Sequence, residues 1–89
     1  HELLSPAGSS MKAGSLAFEQ GAFGDALSHW KQAAEIYKGF GNVPGQIEAL
    51  VLSSQASLGL GQSKQALQSL ELALGLAQKS GDPLVEAPI

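Results

Sequence analysis

From Phe23 onward, apolar residues fall at Phe23, Ala26, Leu27, Trp30, Ala33, Ala34 and Tyr37. Steps of three and four place all of them on one face of an α-helix. The segment opens after Gly21 and runs into Gly39. A second such face holds Ala66, Leu67, Leu70, Ala73, Leu74 and Ala77, opening after Gly61 and ending at Gly81. Ahead of each lies another helical stretch, SSMKAGSLAFEQ over 9–20 and GQIEALVLSSQASLGL over 45–60. No alternating strand pattern bounded by hairpin turns interrupts them. The pattern predicts four helices with short connections, and PLVEAPI at the end reads as the opening of a fifth.

The breakers between these stretches have assignable parts. Gly41 can take the left-handed conformation that stops a helix. Asn42 is a good N-cap, because its side-chain oxygen accepts an orphan amide hydrogen bond. Pro44 then falls in a first helical turn, where its missing N–H costs nothing. Gly81, Asp82 and Pro83 fill the same parts near the end of the chain, and Ser5 and Pro6 are placed to do so at its front.

Shifting the sequence by forty residues superimposes its halves. Gly21 lands on Gly61, Ala26 on Ala66, Leu27 on Leu67, Ala33 on Ala73 and Gly41 on Gly81. Trp30 lands on Leu70, Phe18 on Leu58 and Asn42 on Asp82. The matches are inter-helix glycines, caps and small residues where helices would approach closely. A repeat of this length built from two helices signals a helical solenoid. The expected core is Ala26, Leu27, Trp30 and Ala33 with Ala66, Leu67, Leu70 and Ala73.

GAFGDALSHWKQAAEIY resembles the second half of a tetratricopeptide repeat, and GQSKQALQSLELALGLA resembles the next one. Gly21, Phe23, Ala26, Trp30 and Ala33 supply that family's second-helix pattern; Gly61, Ala66, Leu70 and Ala73 supply it again, with Ser63 in place of the aromatic. The first helices depart further: Gly14 meets the pattern, but Ala17 and Ser57 stand where a large residue is usual. The forty-residue period exceeds the family's usual length and implies longer helices. GNVPGQIEAL is similar to the long repeats of bacterial multidomain proteins, including cyanobacterial ones that bear caspase-like CHAT domains. The resemblance implies an all-α solenoid stacked as a short right-handed superhelix. One domain spans 1–89: a lead-in over 1–6, repeats over 7–41 and 42–81, and a third repeat's start or a cap over 82–89.

The bulk numbers narrow the function classes. With 89 residues the chain holds one small domain. Five Lys and Arg against eight Asp and Glu give net −3, with no basic face, so nucleic acid is not an expected partner. The absence of cysteine excludes disulfides, thiol catalysis and thiolate metal sites. No apolar run is long enough to span a membrane and no signal peptide is visible; the sequence leaves the compartment open, with the cytoplasm favoured. The chain begins with His1, which reads as an excised fragment or processed product.

Candidate chemistry is sparse. Asp25, Ser28 and His29 are neighbours on one helix, with Asp25 and His29 four apart on one face. A hydrolytic triad needs the His to bridge the other two beside an oxyanion hole, which three neighbours on an exposed helix do not give. The pair lacks further ligands for a metal. GLGQSK over 59–64 lacks the spacing and preceding strand of a phosphate loop and reads as an inter-helix turn. Neither enzyme activity nor a cofactor or metal is expected.

In tetratricopeptide arrays the first helices line a concave surface where partner peptides dock. Position by position, the resemblance puts Met11, Lys12, Ser15, Phe18 and Glu19 there in the first repeat, and Glu48, Val51, Leu52, Gln55 and Leu58 in the second. Lys12 is the one basic residue among them, so no clamp for a C-terminal carboxylate is expected. Met11, Phe18, Val51 and Leu58 instead make the groove partly apolar, suited to an amphipathic helix or extended segment. The same residues could equally pack under a neighbouring repeat or another copy. The expected function is a protein-binding scaffold. The rivals are a regulatory fragment of a larger enzyme, such as a CHAT protease, and a self-associating structural module.

Overall fold

The computed structural model describes residues 6–80. Four helices follow one another: α1 (Pro6–Glu19), α2 (Phe23–Gly39), α3 (Val43–Gly59) and α4 (Ser63–Ser80). The helices expected to start at residues 9 and 45 begin earlier, at Pro6 and Val43. The expected fifth helix and the Gly81, Asp82 and Pro83 cap lie outside the described residues, as does the lead-in before Pro6.

The turns are built to one plan. Gly21, Gly41 and Gly61 have φ of 80°, 71° and 77°, the left-handed region that costs glycine nothing. In each turn the glycine N–H donates three residues back, to the carbonyls of Phe18, Lys38 and Leu58. The next residue donates five back: Ala22 to Ala17 at 2.8 Å, Asn42 to Tyr37 at 2.9 Å and Gln62 to Ser57 at 2.8 Å. These paired bonds satisfy carbonyls that the helix end would otherwise orphan. Helices therefore start at Phe23, Val43 and Ser63, every twenty residues.

Asn42 serves two helices. Its N–H closes α2, and its Oδ1 accepts the Gly45 N–H at 2.9 Å at the start of α3. Asn42→Ala is expected to cost about 1 kcal/mol, and Asn42→Gly only a few tenths. A thermal melt checks the order: the alanine variant melts about 4–8 °C lower and the glycine variant stays close to wild type.

Extensive packing joins consecutive helices alone: α1 with α2, α2 with α3, and α3 with α4. Consecutive helices run antiparallel. Phe23 at the start of α2 lies over Gly59 at the end of α3, and Tyr37 near the end of α2 lies over Gly45 at the start of α3. A β-carbon at Gly59 or Gly45 would come within 2.7 and 2.6 Å of those rings, so each glycine is the hole for an aromatic knob. The fold is all-α, in a consecutive arrangement consistent with a helical repeat.

The core divides into two clusters. Ala17, Ala26, Trp30 and Ala56 form one, bordered by Met11, Phe18, Leu27 and Leu52. Ala33, Ala34 and Ala49 form the other, bordered by Met11, Tyr37 and Leu50. Trp30 is the largest side chain to be fully buried. Its indole Nε1 donates to the Met11 carbonyl at 3.1 Å, and its ring lies 5.5 Å from that of Phe18. Phe18 in turn contacts Phe23 at 5.1 Å, so three aromatics tie α1 to α2. Buried serines of α3 bond along their own helix, Ser53 to the Ala49 carbonyl at 2.8 Å and Ser54 to that of Val51. They bring small volume to the middle helix without an unsatisfied hydroxyl.

Two expected core residues are corrected. Ala66 and Ala73 are buried, but Leu67 and Leu70 are exposed. Their counterparts Leu27 and Trp30 are covered because both α1 and α3 pack on α2. No described helix packs on the far side of α4, so the same face meets solvent there.

Candidate functional site

The ten residues expected to line a concave surface lie on α1 and α3. Lys12, Ser15, Glu19, Glu48, Gln55 and Leu58 are exposed, and Met11, Phe18, Val51 and Leu52 are half-buried. Met11, Phe18 and Leu52 pack against the core clusters, and the Met11 carbonyl holds the Trp30 indole. Part of their apolar surface is thus already spent inside the fold. Leu58, 55% exposed, is the large apolar side chain this surface offers to solvent.

A deeper groove runs along the other side. It lies between α2 and α4 with α3 as its floor. One section, of about 420 Å³, is lined by Lys31 and Glu35 from α2, Leu50, Ser53 and Ser57 from α3, and Gln65, Gln68 and Leu72 from α4. A second section of about 260 Å³ shares Ala34, Glu35, Leu50 and Leu72 with the first and continues to Lys38, Gln46 and Leu76. The groove exists because α2 and α4 each pack on α3 rather than closely on each other. Small Ser53 and Ser57 keep its floor low, Leu50, Leu72 and Leu76 make it apolar, and amide and charged groups stand at its rims. None of the ten expected residues lines it. The sequence held one pointer: Leu72 and Leu76 widen the apolar arc of α4 beyond the single stripe that packing on α3 requires.

The residues weighed for chemistry stay on α2. Asp25 and Ser28 are exposed and His29 is half-buried. Among the described residues no group of three or more His, Asp or Glu is placed to hold a metal. GLGQSK spans the end of α3, the Gly61 turn and the start of α4, the inter-helix connection it was read as. No described helix is long and apolar enough to cross a membrane.

Four consecutive helices joined by turns of one plan are consistent with a helical-repeat arrangement. Comparison of the chain with protein-family models, with curated proteins and with solved structures found no match.

Proposed function

We propose that the chain is a protein-interaction module of the tetratricopeptide kind, non-catalytic, that takes an amphipathic helical segment of a partner in the groove between α2 and α4. The observation that carries this reading is the shape and lining of that groove. It is elongated, extending over two contiguous sections with a shared wall. A linear segment suits such a channel better than a compact small molecule. Its apolar lining of Ala34, Leu50, Leu72 and Leu76 would receive an apolar stripe at three- and four-residue spacing, and Lys31, Glu35, Gln65 and Gln68 would meet polar flanks.

The repeat register and the turn chemistry support the tetratricopeptide assignment. The concave residues named from the sequence remain the second surface, favoured by the exposure of Leu58.

A display selection with helical amphipathic peptides tests the reading, followed by affinity measurement on two variants. Leu72 is 60% exposed, so Leu72→Glu should leave the fold intact, as circular dichroism can verify. Selected peptides should bind Leu72→Glu at least about tenfold more weakly, the loss expected from one buried leucine, and bind Leu58→Asp unchanged. Binders that respond to Leu58→Asp and ignore Leu72→Glu would move the site to the concave surface. Binders that respond to neither would remove both.

A further inference from the structure

The outward face of α4 fits a second copy of this chain. Leu67, Leu70 and Leu74 are 56%, 40% and 50% exposed and follow Ser63 at steps of four, three and four. That is the spacing of an a/d seam, which packs against another helix with knobs in holes. The forty-residue register shows what such a face does when it is covered. Its counterparts on α2 are Leu27, Trp30 and Ala34, and α3 packs on them.

The opposite end of the stack does not fit this face. The residues of α1 that correspond to Ala49, Leu52, Ala56 and Gly59 of α3 are Ser9, Lys12, Leu16 and Glu19. Head-to-tail stacking would press Lys12 and Glu19 onto the leucines, where desolvated charge is costly. Among the described residues the front of the stack places Lys12 and Glu19 beside Leu16, whereas the back presents Leu67, Leu70 and Leu74, so open-ended growth is disfavoured.

We infer that two copies pair through α4, antiparallel and about a two-fold axis. One register satisfies every position of the seam. Leu67 meets Leu70 of the second copy, and Leu74 then lies over its Ser63, a large residue over a small one. The flank fits as well. Lys64 and Glu71, both exposed and seven residues apart, border the seam on the same side. In this register Lys64 of each copy falls beside Glu71 of the other, giving two equivalent ion pairs. The arrangement is closed, because each copy uses the same α4 face. It involves neither the groove between α2 and α4 nor any partner, so it stands apart from the function proposed above.

Sedimentation velocity on the full chain, from about 1 to 300 μM, tests the pairing in the range where a few buried leucines act. A monomer–dimer equilibrium that stops at two copies is expected. Leu67→Asp, at an exposed position, should keep its helicity and sediment as a monomer throughout. Lys64→Glu and Glu71→Lys should each weaken the dimer about tenfold by facing like charges, and the double exchange should restore it. A wild-type chain that stays monomeric at all concentrations overturns the inference. So does one that dimerises only once residues 81–89 are removed, since the chain's own tail would then be the occupant. Mass that keeps rising with concentration overturns it in favour of head-to-tail stacking. A dimer that the double exchange fails to restore overturns the antiparallel register.

Discussion

Trp30→Ala is expected to remove about half of the fold's stability or more. Trp30 is 2% exposed and stands where α1, α2 and α3 meet. Truncating a buried aromatic to alanine costs about 3–5 kcal/mol, through lost burial and the cavity left behind. A domain of this length has only about 5–10 kcal/mol in all. The buried neighbours Ala17, Ala26 and Ala56 are too short to fill the space, which leaves only the bordering Met11, Phe18, Leu27 and Leu52 to shift into it. The indole also anchors Phe18, which in turn holds Phe23, so the loss spreads along the aromatic chain. Thermal unfolding followed by circular dichroism should show a transition tens of degrees lower or none. Phe40→Ala is the control: Phe40 is exposed in a turn, and its loss should leave the midpoint nearly unchanged.

The second large effect runs against helix propensity. Gly14 lies within α1, where alanine would ordinarily gain about 1 kcal/mol. Here a β-carbon would collide with the Nε1 and Cδ1 of the Trp30 indole. The indole cannot swing away without breaking its bond to the Met11 carbonyl and leaving a buried N–H unsatisfied. Overpacking of this kind costs about 1–3 kcal/mol and outweighs the propensity gain. Gly14→Ala is expected to be destabilising by about 1 kcal/mol net in urea unfolding, with little change in slope. An exposed glycine of α2, Gly24, has nothing within 4 Å of its would-be β-carbon, and Gly24→Ala should stabilise modestly.

The helices, their order and the Asn42 cap were legible because they rest on local chemistry. A glycine past the last periodic residue stops a helix whatever surrounds it, and Asn42 caps with its own side chain. The twenty-residue spacing of the turns was less visible. Gly39, Gly45 and Gly59 stand near the turn glycines, and sequence does not tell a left-handed glycine from one that makes room for an aromatic ring. The placing of Leu67 and Leu70 in the core failed for a different reason. Periodicity shows which face of α4 is apolar, and says nothing about whether a helix covers it. The groove between α2 and α4 depends on the separation of two helices forty residues apart in register. No short motif encodes that separation, and only the surplus leucines of α4 hinted at it. The concave residues came from a resemblance rather than from the physics of this chain, and several of them contribute to packing as well.

Two residues bear most directly on the forty-residue repeat read from the sequence. Gly14 receives Trp30 in the first hairpin, and the positions forty residues on are Ser54 and Leu70. A larger floor goes with a smaller knob, as expected if both hairpins share one packing scheme. The most direct measurement is a double-mutant cycle of Gly14→Ser, Trp30→Leu and the combination, which writes the second hairpin's pair into the first. The account predicts that the double variant is more stable than the sum of the two single losses by at least about 1 kcal/mol, because the serine fills space the indole vacates. Strict additivity would mean that Gly14 and Trp30 do not face each other across this interface, and the packing scheme read from them would fail.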